Sequence, residues 1–128
     1  MNVLLDSHVL IWLDSDSKRL SQTAIGYLSD PNKRLLLSAA SVWEIAIKIQ
    51  LGKLQLTDSL ENVLHQQAAL NTIGPLDIAF THAIQVGRLP QVHKDPFDRM
   101  IVAQAMIENA VILTDDRLIR QYPVRTDW

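Results

Sequence analysis

Short apolar runs of strand length alternate along this chain with longer stretches in which apolar positions recur every three or four residues. Val3-Leu4-Leu5, Leu35-Leu36-Leu37 and Val111-Ile112-Leu113 predict strands, and fainter runs near Thr72-Ile73 and at Val124 predict two more. None of these runs alternates apolar with polar, which suits strands covered on both faces in a parallel sheet. Helical spacing predicts helices over His8 to Leu13, Gln22 to Leu28, Ser41 to Leu51, Leu60 to Leu70, Ile78 to Val86, Pro96 to Asn109 and Arg117 to Gln121. Gly52 reads as a helix stop, and Pro31, Pro75 and Pro90 punctuate loops. Alternation of this kind predicts an α/β sandwich with right-handed crossovers, in which ligands gather beyond the carboxyl ends of the strands.

Composition excludes more than it selects. With 128 residues, 48% hydrophobic and 20% charged, the chain reads as one domain spanning residues 1–128 and not as a disordered or low-complexity segment. No apolar run is long enough to span a membrane, and the Met1-Asn2 start lacks the basic residues of a signal peptide. The absence of Cys removes disulfides and thiolate metal sites, and a cytoplasmic location is the expectation. Twelve basic against 14 acidic residues leave no broad positive surface of the kind many nucleic-acid binders carry. Eleven of the acids are Asp and only three are Glu, an excess that favours caps, turns and metal ligands over solubilising helix faces.

Three acids fall where such a fold gathers ligands. Asp6 follows the first strand, Glu44 lies on the first predicted turn of the helix after Leu37-Ser38, and Asp116 follows Val111 to Thr114. A fourth, Asp98, sits on the first turn of the Pro96 helix, where a returning loop can face the same rim. Each also has a capping reading. Ser41-Val-Trp-Glu44 has the form of a capping box, and Asp95-Pro96-Phe97-Asp98 reads as an N-cap, a first-position proline and a first-turn acid. Asp58-Ser-Leu-Glu61 shows the same cap-like pattern with no strand before it and serves as an internal comparison.

Capping does not require four acids to share one rim. Two carboxylates about 4 Å apart repel by roughly 4 kcal/mol at an effective dielectric near 20, so a cluster must take up protons or cations. All-oxygen ligation selects hard ions, Mg2+ or Mn2+ where waters and phosphates complete the shell. Without the four acids the chain carries 12 basic against 10 acidic residues, a balance that tolerates a polyanion. Lys48, Lys94, Arg99 and Arg117 lie next to the acids and are the candidates for phosphate contact. His8, His65, His82 and His93 show no metal-binding spacing; His8 and His93, near the acids, read as helix-packing or loop residues. The apolar surroundings of Trp12 and Trp43 predict core positions.

The stretches LLDSHVLIWL, SAASVWEIAIKIQLGKL, HKDPFDRMIVAQA and VILTDDRLI, carrying Asp6, Glu44, Asp98 and Asp116 in that order, resemble the PIN-domain ribonucleases, most closely the VapC-like toxins of toxin-antitoxin pairs. The resemblance implies a three-layer α/β/α sandwich around a mainly parallel sheet. It implies that the four acids hold Mg2+ or Mn2+ for endoribonucleolytic hydrolysis of RNA. Ser7 stands where Thr is commoner and keeps the hydroxyl. Of the doubled acid, alignment through Thr114 favours Asp116 over Asp115 as the ligand, with Ser7, Thr114 and Asp115 as supporting residues. It also implies a small antitoxin wrapping an apolar groove, for which Val9, Trp12, Leu13, Val42, Ile45, Ile49 and Leu51 are candidates; these positions serve equally as core or as a homodimer seam. Two other readings are a receiver-like phosphoacceptor switch and a PIN fold kept only as a binding module. The first needs an acid pair after the first strand and a Lys after the last, where this chain has Asp-Ser-His and Thr-Asp-Asp; the intact acid set opposes the second.

Overall fold

The computed structural model describes residues 1–128. The chain runs β1 (Asn2–Leu5), α1 (Ser7–Ser15), α2 (Gln22–Ser29), β2 (Arg34–Ser38), α3 (Ala39–Gln50), α4 (Leu60–Asn71), β3 (Gly74–Leu76), α5 (Phe80–Val86), α6 (Pro96–Glu108), β4 (Val111–Leu113) and β5 (Thr126–Asp127). All five strands are parallel, in the order β3-β2-β1-β4-β5.

The unbroken apolar runs follow from this arrangement, because successive strand residues point to opposite faces and each face has its own core. Val3, Leu5, Leu35, Leu37 and Leu113 pack with Val9, Leu10, Trp12 and Ile45 on one face. Leu4, Leu36 and Ile112 pack with Ile101, Val102, Ile119 and Tyr122 on the other. The result is a three-layer α/β/α sandwich. Leu5 is level with both Leu37 and Leu113, so the three central strands end at the same height.

Several boundaries differ from the sequence pattern. The strand expected near Thr72-Ile73 is Gly74–Leu76, and Pro75 lies within it; the missing amide is tolerated because β3 is an edge strand. Thr72 instead closes α4 in the left-handed conformation. The last strand is Thr126–Asp127, beyond Val124. α3 begins at Ala39 because the Ser38 hydroxyl accepts from the Ala40 amide and takes the cap position expected of Ser41. α5 begins at Phe80, and the helix expected over Arg117 to Gln121 is a turn followed by a 3-10 segment, Ile119–Gln121. Val9, Trp12 and Ile45 are core residues, so they cannot line an open groove; Leu13, Val42 and Ile49 are half-buried and Leu51 is exposed.

Thr72 carries a β-branched side chain at φ 55°, a conformation that glycine adopts without strain. Its position is exposed, so nothing is lost from the core by removing the side chain. Thr72→Gly is expected to raise stability by about 1 kcal/mol, read as a higher urea midpoint at unchanged m-value.

Candidate active site

The level ends of β2, β1 and β4 deliver the acids. Asp6 occupies the N-cap position of α1 but makes no side-chain cap bond. Its Oδ2 accepts instead from the Thr114 hydroxyl at 2.7 Å, and its amide donates to the Leu113 carbonyl at 3.1 Å. Burial opposes ionisation of Asp6, but the His8 ring, 3.7 Å from Oδ1, and the Thr114 hydroxyl outweigh it and hold the carboxyl below its ordinary value. The same pairing raises the His8 pKa.

Thr114 serves two acids at once, because its hydroxyl also accepts from the Asp116 amide at 3.0 Å. Asp116 folds back on its own turn, with Oδ1 accepting from the amides of Leu118 at 2.8 Å and Ile119 at 3.3 Å. Asp115 is exposed.

Glu44 is not part of a capping box. With α3 starting at Ala39 it lies in the second turn, and Ser41 is buried with its hydroxyl unpartnered. Glu44 is itself buried: Oε1 accepts from the Ser7 hydroxyl at 2.8 Å and Oε2 pairs with Lys48 Nζ at 3.2 Å.

Asp98 is free of capping duty, since Asp95 Oδ1 accepts from the amides of Phe97 and Asp98 as the sequence predicts. Its Oδ2 lies 3.2 Å from His93 Nε2. Burial, together with the charge of Asp95, pushes Asp98 up to about 7 against the opposing hydrogen bond from His93, and the charges of Asp6 and Asp116 push the same way. Asp98 therefore feels the charges of both Asp6 and Asp116, and Ser7 joins the Asp6 backbone to Glu44.

The donor set suits a hard divalent ion: every group is a carboxylate, and Asp98, raised first by burial, is raised further by the charges of Asp95, Asp6 and Asp116. The side chains are not drawn in around a common point, for no three His, Asp or Glu groups are gathered closely enough to hold an ion. Lys48 instead supplies the positive charge beside Glu44.

Of the other basic candidates, Lys94 and Arg117 are exposed, whereas Arg99 is not available to a phosphate. Its guanidinium is spent on the carbonyls of Pro90 at 3.0 Å and Val86 at 3.2 Å and on the Tyr122 hydroxyl at 3.1 Å. Trp12 is buried as expected, but Trp43 is 61% exposed, set edge-on to Phe97 at 5.1 Å between ring centroids. The sequence pattern also missed the contact of His93 and Tyr122 with the site. His93 precedes Asp98 by five residues, a local hint; Tyr122 reaches it only through the fold.

A parallel sheet with acids at the carboxyl ends of its central strands sets this chain among the α/β folds that bind charged ligands at that rim. The model of the PIN domain matches residues 3–124, and the chain belongs to the PIN-domain family. It is 31% identical over 122 residues to Ribonuclease VapC22 of Mycobacterium tuberculosis, covering 94% of this chain and 91% of that protein. Among solved structures it is similar to VapBC2 from Rickettsia felis bound to a DNA fragment from their promoter, at a TM-score of 0.76 and 14% identity over 99% of this chain and 98% of that one. DNA-bound VapBC from Salmonella typhimurium gives a TM-score of 0.67 at 19% identity, over 99% of this chain and 97% of that one. At those identities the structural likeness is one of fold.

The electrostatics set a pH dependence. The folded protein holds the Asp98 proton up to about pH 7, whereas an unfolded Asp loses it near 3.8, so stability falls as pH rises between these values. His8 acts in the same direction: its stabilisation is present below the unfolded value of 6.5 and is lost as pH rises through its higher folded value. In chelator, the melting temperature should be higher at about pH 5.5 than at about pH 8. Asp98→Asn should flatten most of that slope, leaving the part due to His8. An unchanged slope in Asp98→Asn would contradict the charge assignment.

Proposed function

We propose that this protein is a divalent-metal-dependent endoribonuclease, built as one PIN domain over residues 1–128 and acting in the cytoplasm as the toxin of a toxin-antitoxin pair. The observation that carries the reading is the set of acids at the strand-end rim, where Asp98 is pushed up to about 7 first by burial and then by the charges of Asp95, Asp6 and Asp116. Such a concentration of uncompensated carboxylate is an expense in a folded protein unless a cation is meant to join it. Similarity to Ribonuclease VapC22 over nearly the whole chain supports the choice of RNA as the polyanion.

Mg2+ or Mn2+ held by Asp6, Glu44, Asp98 and Asp116 would supply the Lewis acidity that activates a water and offsets charge on the scissile phosphate. The chain's own groups do the remaining work. The Thr114 and Ser7 hydroxyls donate to Asp6 and Glu44 and keep one oxygen of each turned to the protein. Lys48 exchanges its pairing with Glu44 for a substrate phosphate, and Lys94 and Arg117 track the RNA backbone. No side chain acts as nucleophile, in keeping with a chain that has no Cys. The antitoxin inhibits by bringing an Arg or Lys to the same acids, and VapBC pairs among the structural neighbours support a protein partner of this kind. The exposed apolar side chains of Trp43, Phe80 and Ile84 offer surface to that partner or to a second copy. No helix is long and apolar enough to cross a membrane.

Purified, partner-free protein should cut RNA with Mg2+ or Mn2+ and stop on chelation; cutting that survives chelator would refute the metal mechanism. Asp6→Asn, Glu44→Gln, Asp98→Asn and Asp116→Asn should each lower the cleavage rate at least about 100-fold. Glu61→Gln, on the first turn of α4, a helix that follows no strand, should cut like the unaltered protein. Between the doubled acids, Asp115→Asn should stay active; the reverse pattern would move the ligand to Asp115.

Expression of the chain alone should slow host growth and co-expression of its antitoxin restore it. Harmless expression of a folded, RNA-cutting protein would count against the toxin role while sparing the nuclease.

A further inference from the structure

Two nitrogens of one imidazole link the candidate site to a hydrogen-bonded anchor behind it. His93 lies half-buried in the loop before α6, with Nε2 3.2 Å from Asp98 Oδ2 and Nδ1 2.7 Å from the Tyr122 hydroxyl. A neutral imidazole donates at one nitrogen and accepts at the other, and these two distances alone do not say which.

Arg99 decides it. A guanidinium only donates, so the Tyr122 oxygen is the acceptor of the 3.1 Å bond from Arg99 Nη1. That leaves the phenolic O–H to donate, and His93 Nδ1 at 2.7 Å is the one acceptor beside it. In that arrangement Nδ1 accepts, Nε2 carries the proton, and Nε2 donates to the ionised carboxylate of Asp98. Every bond in the chain Arg99, Tyr122, His93, Asp98 points toward the carboxylate. The links are also held in place: Arg99 is anchored to the carbonyls of Pro90 and Val86, and Tyr122 is buried in the core beneath the sheet.

We infer that His93 is a positioning residue for Asp98, fixed as the Nε2–H tautomer by Arg99 acting through Tyr122. The network fastens Oδ2 to the protein and leaves Oδ1, which has no hydrogen-bond partner, to the ion. This rests on the metal-site reading above, and it gives Arg99 a role behind the site in place of the phosphate contact expected of it. A network that only ties the loop to α6 would be indifferent to the tautomer and to which atom the residue at 93 presents.

The test pairs two measurements on the full-length chain. Nitrogen-15 NMR of metal-free protein at about pH 8.5, above the Asp98 value of about 7, should show His93 protonated at Nε2, and Tyr122→Phe should release it to a mixture of tautomers. Mn2+ binding, followed by the loss of the free-ion electron paramagnetic resonance signal, should weaken about 10- to 100-fold in His93→Ala. His93→Gln, which presents an amide donor in place of Nε2, should recover most of the affinity. If His93→Ala does not fold, His93→Gln against His93→Asn makes the same comparison, since Asn places its donor short of Asp98. Protonation at Nδ1 in the unaltered protein would overturn the inference. So would affinity unchanged in the unfastened variants while Asp98→Asn binds poorly, a result that leaves the metal site standing. Absence of Mn2+ binding by the unaltered protein would overturn the metal-site reading and this inference with it.

Discussion

The structure depends on the level pairing of β1 with its two neighbours. Leu5 stands opposite Leu37 on one side and Leu113 on the other, so three strands finish together and the chain leaves the sheet in three adjacent places. Asp6 leaves from the first, the Ser38 cap that starts the Glu44 helix from the second, and Thr114 from the third. Shifting one strand by a single residue would turn Leu4 and Leu5 into the wrong cores as well as displace an acid, because alternate residues feed opposite faces. Core packing and site geometry are therefore fixed by the same register.

Much of this is legible in the sequence, for reasons that differ by element. The three central strands declare themselves because burial on both faces demands continuous apolar runs, and Asp95-Pro96 marks the start of α6 through local cap chemistry. The edge strands do not: β3 contains Pro75, and β5 is two polar residues that pair only because β4 lies beside them. Ser41 misleads because Ser38, three residues earlier, offers the same cap chemistry closer to the strand. The acids can be listed from strand ends, but the groups that tune them cannot, since Tyr122 meets His93 across 29 residues and Thr114 meets Asp6 across 108. Arg99 and Trp43 show the same gap in reverse: adjacency to an acid says nothing about whether a side chain turns to solvent or to the interior.

Charge at the rim is balanced in two unlike ways. On the α3 side, Lys48 and the Ser7 hydroxyl satisfy both oxygens of Glu44 within the chain. On the α6 side, Asp98 has one imidazole for three acidic neighbours and keeps its proton near neutrality. One half of the rim is thus balanced within the chain, and the other is not. The two halves meet at Asp6 and Ser7, consecutive residues at the start of α1.

The hydrogen bond between Asp6 and Thr114 spans 108 residues. β1 is the centre of the sheet, yet β4, one of its two partners, is synthesised long after it. At ribosomal speeds of about 5–20 residues per second, roughly 5–20 s separate the two halves of that bond. Through that interval the carboxylate of Asp6 lacks the Thr114 hydroxyl that donates to it in the folded protein. The nascent chain is therefore without its assembled rim until β4 and Thr114 have been made.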